Sequence, residues 1–255
     1  MVTSLGGANI TDIAVLSPSR LLVADYTKST LKLLDSVNGR VLSKATLPAK
    51  PRRLCLLSDG CVAVTMYRSR KIQFICVAND AISLDKSIDV KNDVAGIAAI
   101  DSHLLLGCDS PGKVEMMTMD GRVVNEVDNQ KAGKQVFSCP CFIATTSSGE
   151  IFVSDYGTDM IIQMDRSLCI TQTFTNPMLT SPYGIASVST DQLLVADKES
   201  HIIVVLNTTS GTVTPLLGRE DGIQHPWAVV WHPVSKRLYV CRTGYQPALN
   251  VFFQK

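Results

Sequence analysis

Between residues 26 and 71 the chain sets two tyrosines, Tyr26 and Tyr67, among Lys28, Lys50, Arg52, Arg53, Arg68, Arg70 and Lys71. Cations beside aromatic rings suit two chemistries: they grip phosphates while the rings stack bases, or they meet the carboxylates of an acidic protein segment. A plainer account treats them as solvated loop residues with no further role. The net charge is only +1, whereas a binder dominated by phosphate contacts carries a larger basic surplus. Arg52, Arg53, Arg68, Arg70 and Lys71 are therefore the predicted recognition patch, with Tyr26, Tyr67 and Lys28 beside them. A protein is the expected partner and RNA the alternative.

Asp25, Asp155 and Asp197 close three similar apolar runs. Carboxylates at strand ends can converge on a metal ion, which would make the chain a metal-dependent hydrolase or lyase. They can also accept backbone N–H groups in their own turns. Regular recurrence favours the turn, because a catalytic centre draws different residues from different parts of a fold. The four histidines, His103, His201, His225 and His232, are too scattered to supply a zinc set, and Cys139-Pro-Cys141 lacks a companion pair. No nucleophile elbow or phosphate loop occurs. The expectation is a chain that is not an enzyme and needs neither metal nor cofactor.

The N-terminal residues lack the basic and apolar regions of a secretory signal, and no run reaches the roughly 20 apolar residues of a membrane-spanning helix. The eight cysteines lie mostly within apolar runs. They read as small buried hydrophobes rather than a disulfide framework, which implies a reducing, cytoplasmic setting.

The elements that must position these residues follow from a repeat. Leu21–Asp25, Ile151–Asp155 and Leu193–Asp197 are near copies, and weaker copies end at Thr65, Cys108 and Cys241. The steps between these ends are 40, 43, 47, 42 and 44 residues, the period of a propeller blade with several short strands per unit. Residues 182–217 show the pattern most clearly: a short strand a, a continuous apolar strand b packed on both faces, then strands c and d separated by turn formers. Six such units fill the 255 residues as a single domain, an all-β six-bladed propeller. The sixth lacks strand d, and residues 1–6 are predicted to supply it, removing an open sheet edge. In this architecture the d-to-a and b-to-c connections share one face, here the top face. That face carries the basic sector from blades one and two. His201 and His225 also fall there, His103 and His232 on the opposite side, and Trp227 and Trp231 pack between blades.

Pro182-Tyr-Gly-Ile-Ala186 with Val195-Ala-Asp197, and Ile151-Phe-Val-Ser-Asp155 with Ile161-Ile-Gln163, resemble the NHL repeat. The likeness spans all six units, clear in one, four and five and degenerate in the others. It is greatest to the C-terminal NHL domain of tripartite-motif (TRIM) ubiquitin ligases, which implies a propeller that recruits protein substrates or RNA. The zinc-binding RING and B-box of such a ligase are not among these residues.

Overall fold

The computed structural model describes residues 2–3, 8–58, 60–133, 135–242 and 248–253. They form six four-stranded antiparallel sheets arranged as a six-bladed propeller. Blade one comprises Ile10–Ser17, Arg20–Asp25, Thr30–Asp35 and Val41–Thr46, and blade two Pro51–Leu56, Cys61–Met66, Lys71–Ala78 and Ala81–Asp89. Blade three comprises Val94–Ile100, His103–Asp109, Gly112–Thr118 and Val123–Asp128, and blade four Pro140–Thr145, Ile151–Asp155, Met160–Met164 and Ile170–Phe174. Blade five is Pro182–Ser187, Gln192–Asp197, Ile202–Asn207 and Val213–Leu217. Blade six takes Pro226–His232, Arg237–Arg242 and Ala248–Phe253 from the end of the chain and Val2–Thr3 from its beginning. A 3₁₀ turn, Arg219–Asp221, precedes blade six.

The strands follow from the residue pattern. Each b strand is packed between its two neighbours in the sheet and between adjacent blades, so both faces must be apolar; Leu21–Ala24 and Ile151–Val153 are almost wholly buried. The outermost strands alternate or turn polar, and Val41–Thr46 has no fully buried residue. The core accordingly lies between blades rather than at one centre. Ala14, Leu22, Leu31, Leu54, Val62 and Val64 fill the gap between blades one and two. Leu194, Ile203, Val229 and Val240 fill that between five and six.

Ring closure takes the predicted form. Val2 stands opposite Asn250 and Thr3 opposite Leu249, completing blade six, while the rest of the 1–6 prediction lies outside the described residues. The inner strands touch their neighbours around the whole ring, including blade six against blade one. One contact shows why blade five needs a glycine as the third residue of its inner strand. A Cβ on Gly184 would stand 2.7 Å from the Val229 nitrogen and 2.8 Å from the Trp227 oxygen, backbone that cannot swing aside.

The sheet register also corrects the repeat. Pro140 faces Asp155 and Pro182 faces Asp197, but Pro51 faces Met66 and Pro226 faces Arg242. Met66 and Arg242, not Thr65 and Cys241, are therefore the equivalents of the aspartates. The tyrosines Tyr26, Tyr67 and Tyr156 now share one position, directly after the end of strand b, and Lys198 holds it in blade five.

Candidate functional site: the top face

The aspartates serve the turns. Asp155 accepts N–H groups from Ser138 and Cys139 through one oxygen and from Gly157 and Thr158 through the other. Asp197 does the same for Thr180, Ser181 and Ser200, and Asp25 accepts from the Lys28 N–H and the Lys32 ammonium at 2.8 Å. All three are fully buried, so their lone pairs are committed within the fold: Asp155 and Asp197 join the incoming connection to the b-to-c turn, and Asp25 joins its turn to strand c. Among the described residues no group of three or more His, Cys, Asp and Glu is placed to hold a metal ion.

Blade two has Met66 where blades one, four and five have an aspartate, and its turn closes differently. The Met66 carbonyl accepts the Ser69 N–H and hydroxyl, and both Arg68 and Arg70 take φ 50°. Ser29, Asp159 and His201 share the left-handed position of Arg70 in their own turns, whereas the Arg68 conformation belongs to blade two alone among the described b-to-c turns. A non-glycine residue held there costs on the order of 1–3 kcal/mol, a strain that concentrates at functional sites.

The tyrosines of blades one and two meet edge to face, with centroids 5.8 Å apart. Lys50 lies 4.8 Å over the Tyr26 ring, and Arg52 and Arg68 lie 5.7 and 5.1 Å from the Tyr67 ring. Lys28, Lys50, Arg68, Arg70 and Lys71 are exposed and both rings half-buried. Carboxylates temper part of this charge: Arg52 pairs with Asp109 at 2.9 Å, Lys71 with Asp89 at 2.7 Å, and Arg70 with Asp93 at 4.0 Å. Lys50 and Arg68 are held over rings instead.

Arg53 departs from the predicted patch. It is the third residue of the inner strand rather than a loop residue, and that register turns it into the central channel, where it is 1% exposed. Its Nε donates to the Cys141 carbonyl across the channel at 3.0 Å, and Nη1 donates to the Thr11 and Arg52 carbonyls at 3.1 and 2.9 Å. The Phe142 ring covers it at 3.6 Å. Asp12, from the equivalent register in blade one, accepts the N–H groups of Ile13 and Leu54. Burial outweighs the attraction of Arg53 and raises the Asp12 pKa to about 6, while burial lowers that of Arg53 to about 10, so both groups are charged at neutral pH.

A second aromatic group stands across the channel mouth. Tyr156 stacks on Tyr183 at 4.8 Å, Tyr183 tilts against Trp227 at 4.3 Å, and Lys198 lies within 6 Å of both Tyr183 and Trp227. Of these, Tyr156 is signalled by the position it shares with Tyr26 and Tyr67; Trp227 was expected only as packing between blades. His201 and His225 come together, ring centroids 4.1 Å apart, with the His225 N–H donating to His201 Nδ1. His103 and His232 lie at the opposite ends of their strands, and His232 is held by Ser235. The cysteines are free thiols; Cys55, Cys108, Cys139, Cys141 and Cys241 are buried, whereas Cys169 is exposed just ahead of its strand.

No family model matches the chain, and no curated protein matches it. Solved structures share its architecture at low identity. Virginiamycin B lyase from Staphylococcus aureus, solved as a catalytically inactive H270A variant with quinupristin, superposes with a TM-score of 0.70 at 18% identity, covering 99% of this chain and 87% of that one. The propeller domain of Myceliophteria thermophila Cps50 (Swd1) gives 0.69 at 14%, covering 97% and 84%. Hydrazine synthase of Kuenenia stuttgartiensis gives 0.69 at 11%, covering 99% and 97%. The expectation of a non-enzymatic chain is corrected by these likenesses: the fold is one that enzymes use. Missing motifs carried that expectation, yet a propeller gathers its functional side chains from loops of separate blades and leaves no contiguous motif to find. The likenesses establish a six-bladed propeller, a fold compatible both with catalysis and with an interaction module.

Proposed function

We propose that the top face of blades one and two is a recognition surface for an acidic segment of a protein partner. One observation carries this reading: two exposed cations, Lys50 and Arg68, are poised over a joined pair of tyrosines. Rings that fix the stems of such cations lower the entropy lost when a carboxylate docks, and the rings offer rigid apolar area beside it. Asp89, Asp93 and Asp109 already pair three of the sector's cations, leaving too few free charges for a run of phosphates but enough for a short acidic stretch. That favours a protein over RNA, whose affinity would rest on backbone charge.

The finer reading is that of an NHL propeller in a tripartite-motif ubiquitin ligase, where this face would select what a separate RING domain ubiquitinates. The residues supporting it are the Pro182–Ala186 signature and the aspartate clamps. Panning a random peptide library on the immobilised protein tests the general proposal. Enrichment of acidic sequences is expected; a neutral or basic consensus would overturn it.

A further inference from the structure

Blade two holds two thiols whose placement is set by the sheet itself. Cys61, the first residue of strand b, stands directly opposite Cys76 near the end of strand c. Among the described strands no other two cysteines face each other: Cys55 stands opposite Ala63, Cys108 opposite Val94 and Lys113, and Cys241 opposite Ala228 and Leu249. Facing residues lie on one side of a sheet. Here that side is the one on which Ala63 and Phe74 are buried against blade three, and the two cysteines sit at its lower rim, only partly buried.

The ladder brings them close. The Cys61 N–H donates to the Ser58 carbonyl, and the Cys61 carbonyl accepts from the Leu57 N–H, so neither backbone group is turned to strand c. The bond between strands b and c falls one residue earlier, from the Val77 N–H to the Gly60 carbonyl at 3.0 Å. Cys61 and Cys76 are therefore a non-hydrogen-bonded pair, the kind whose Cα atoms stand about 4.5 Å apart. A disulfide spans roughly 4.4–6.8 Å between Cα atoms, so the bridge fits the ladder as it stands. The strands are held tightly at this end, where a Cβ on Gly60 would lie 2.7 Å from the Val77 oxygen. Burial sets other thiols apart: it raises the pKa of Cys55 to about 12 and that of Cys141 to about 11, which keeps both protonated and inert.

We propose that Cys61 and Cys76 form a thiol–disulfide site, oxidised by a small disulfide such as oxidised glutathione and reopened by the corresponding thiol. One cysteine thiolate attacks the glutathione disulfide, giving a mixed disulfide and releasing one glutathione; the other thiolate then displaces the second. Two electrons pass to the oxidant, whose S–S bond becomes two thiols carrying the protons that the cysteines give up, and one S–S bond forms in the protein. The bridge ties strand b to strand c at the end opposite the Tyr67–Lys71 turn. In a reducing setting such a pair rests as thiols and closes only transiently, as a redox sensor does. The site stands whether or not the top face binds an acidic segment.

The full chain, incubated without denaturant at about 1 mM reduced glutathione and increasing oxidised glutathione, then alkylated and read by mass spectrometry, tests this. Oxidation should remove two of the eight thiols and join tryptic residues 54–68 to 72–86, with fragmentation placing the bond on Cys61 rather than Cys55. Excess reduced glutathione should restore both thiols. Because the second displacement is intramolecular, the bridge should be half-formed with at least tenfold less oxidised glutathione than half-loads Cys169, which is exposed and lies outside the ladder. Cys61→Ser should leave Cys76 only a thiol or a glutathione adduct. Adducts on both cysteines without a bridge, a bridge through Cys55, or an oxidant demand equal to that of Cys169 would each overturn the proposal.

Discussion

Arg53 is the residue whose removal says most about how this propeller is held together. Its guanidinium joins blade two to blade one through Thr11 and to blade four through Cys141, and it balances the buried charge of Asp12. A hydrogen bond to a charged group contributes about 1.5–3 kcal/mol. The two bonds of Arg53 to other blades therefore account for about 3–6 kcal/mol, while Asp12, losing the attraction of Arg53, takes up a proton instead of leaving a bare charge buried. The unpartnered Nη2 offsets part of this, since its own desolvation disappears with it. Arg53→Ala should therefore lose about 3–5 kcal/mol in total. At about 2–4 °C per kcal/mol for a chain of this size, the thermal midpoint should fall by roughly 6–20 °C in differential scanning fluorimetry. Arg52→Ala is the internal control. Its partly exposed pair with Asp109 is of the kind that contributes about 0–1 kcal/mol. A midpoint for Arg53→Ala within 2 °C of the parent, or a larger loss for Arg52→Ala, would refute the reasoning.

Three further outcomes follow from the same geometry. Gly184→Ala forces a Cβ against the backbone of Trp227, Ala228 and Val229 and should cost about 1–3 kcal/mol; an unchanged urea midpoint would contradict that packing. Burial makes Asp12 hold its proton more tightly in the folded chain, with a pKa of about 6, than an exposed aspartate does, so its contribution to stability grows as pH falls through 6. From pH 7.5 to 5 the parent should gain roughly 1–1.5 kcal/mol relative to Asp12→Asn, read as a widening difference between their thermal midpoints; parallel curves would exclude the effect. Deleting residues 1–8 should lower the midpoint by exposing the blade-six edge at Leu249 and Asn250, and equal stability would show that the terminal strand is dispensable.

Much of the fold was legible because a blade writes itself into the chain at short range. Continuous apolar b strands, turn formers at regular spacing and a missing last strand are all local patterns, and the described part of the closure agrees with them. The site was legible only where its residues sit on b-to-c turns. Tyr26, Tyr67 and Arg68 came together as loop neighbours of adjacent blades. Arg53 did not, because one residue of register decides whether a side chain after Pro51 faces the channel or the surface, and Met66 in place of an aspartate hid that register. The Tyr183–Trp227 contact joins inner strands of two blades, and nothing in either segment announces the other. A catalytic set, in any propeller, would be illegible for the same reason: residues that meet across a propeller mouth are far apart in the chain.

The proposed recognition surface depends most directly on the cations over the tyrosine pair. Lys50→Glu with Arg68→Glu reverses the two exposed charges that the rings hold and touches no residue of the buried core. Titration of an acidic peptide selected on the parent, followed by fluorescence anisotropy, should show at least a tenfold loss of affinity in this double variant with the thermal midpoint unchanged. Equal affinity in a folded double variant would contradict the assignment of the recognition surface to blades one and two.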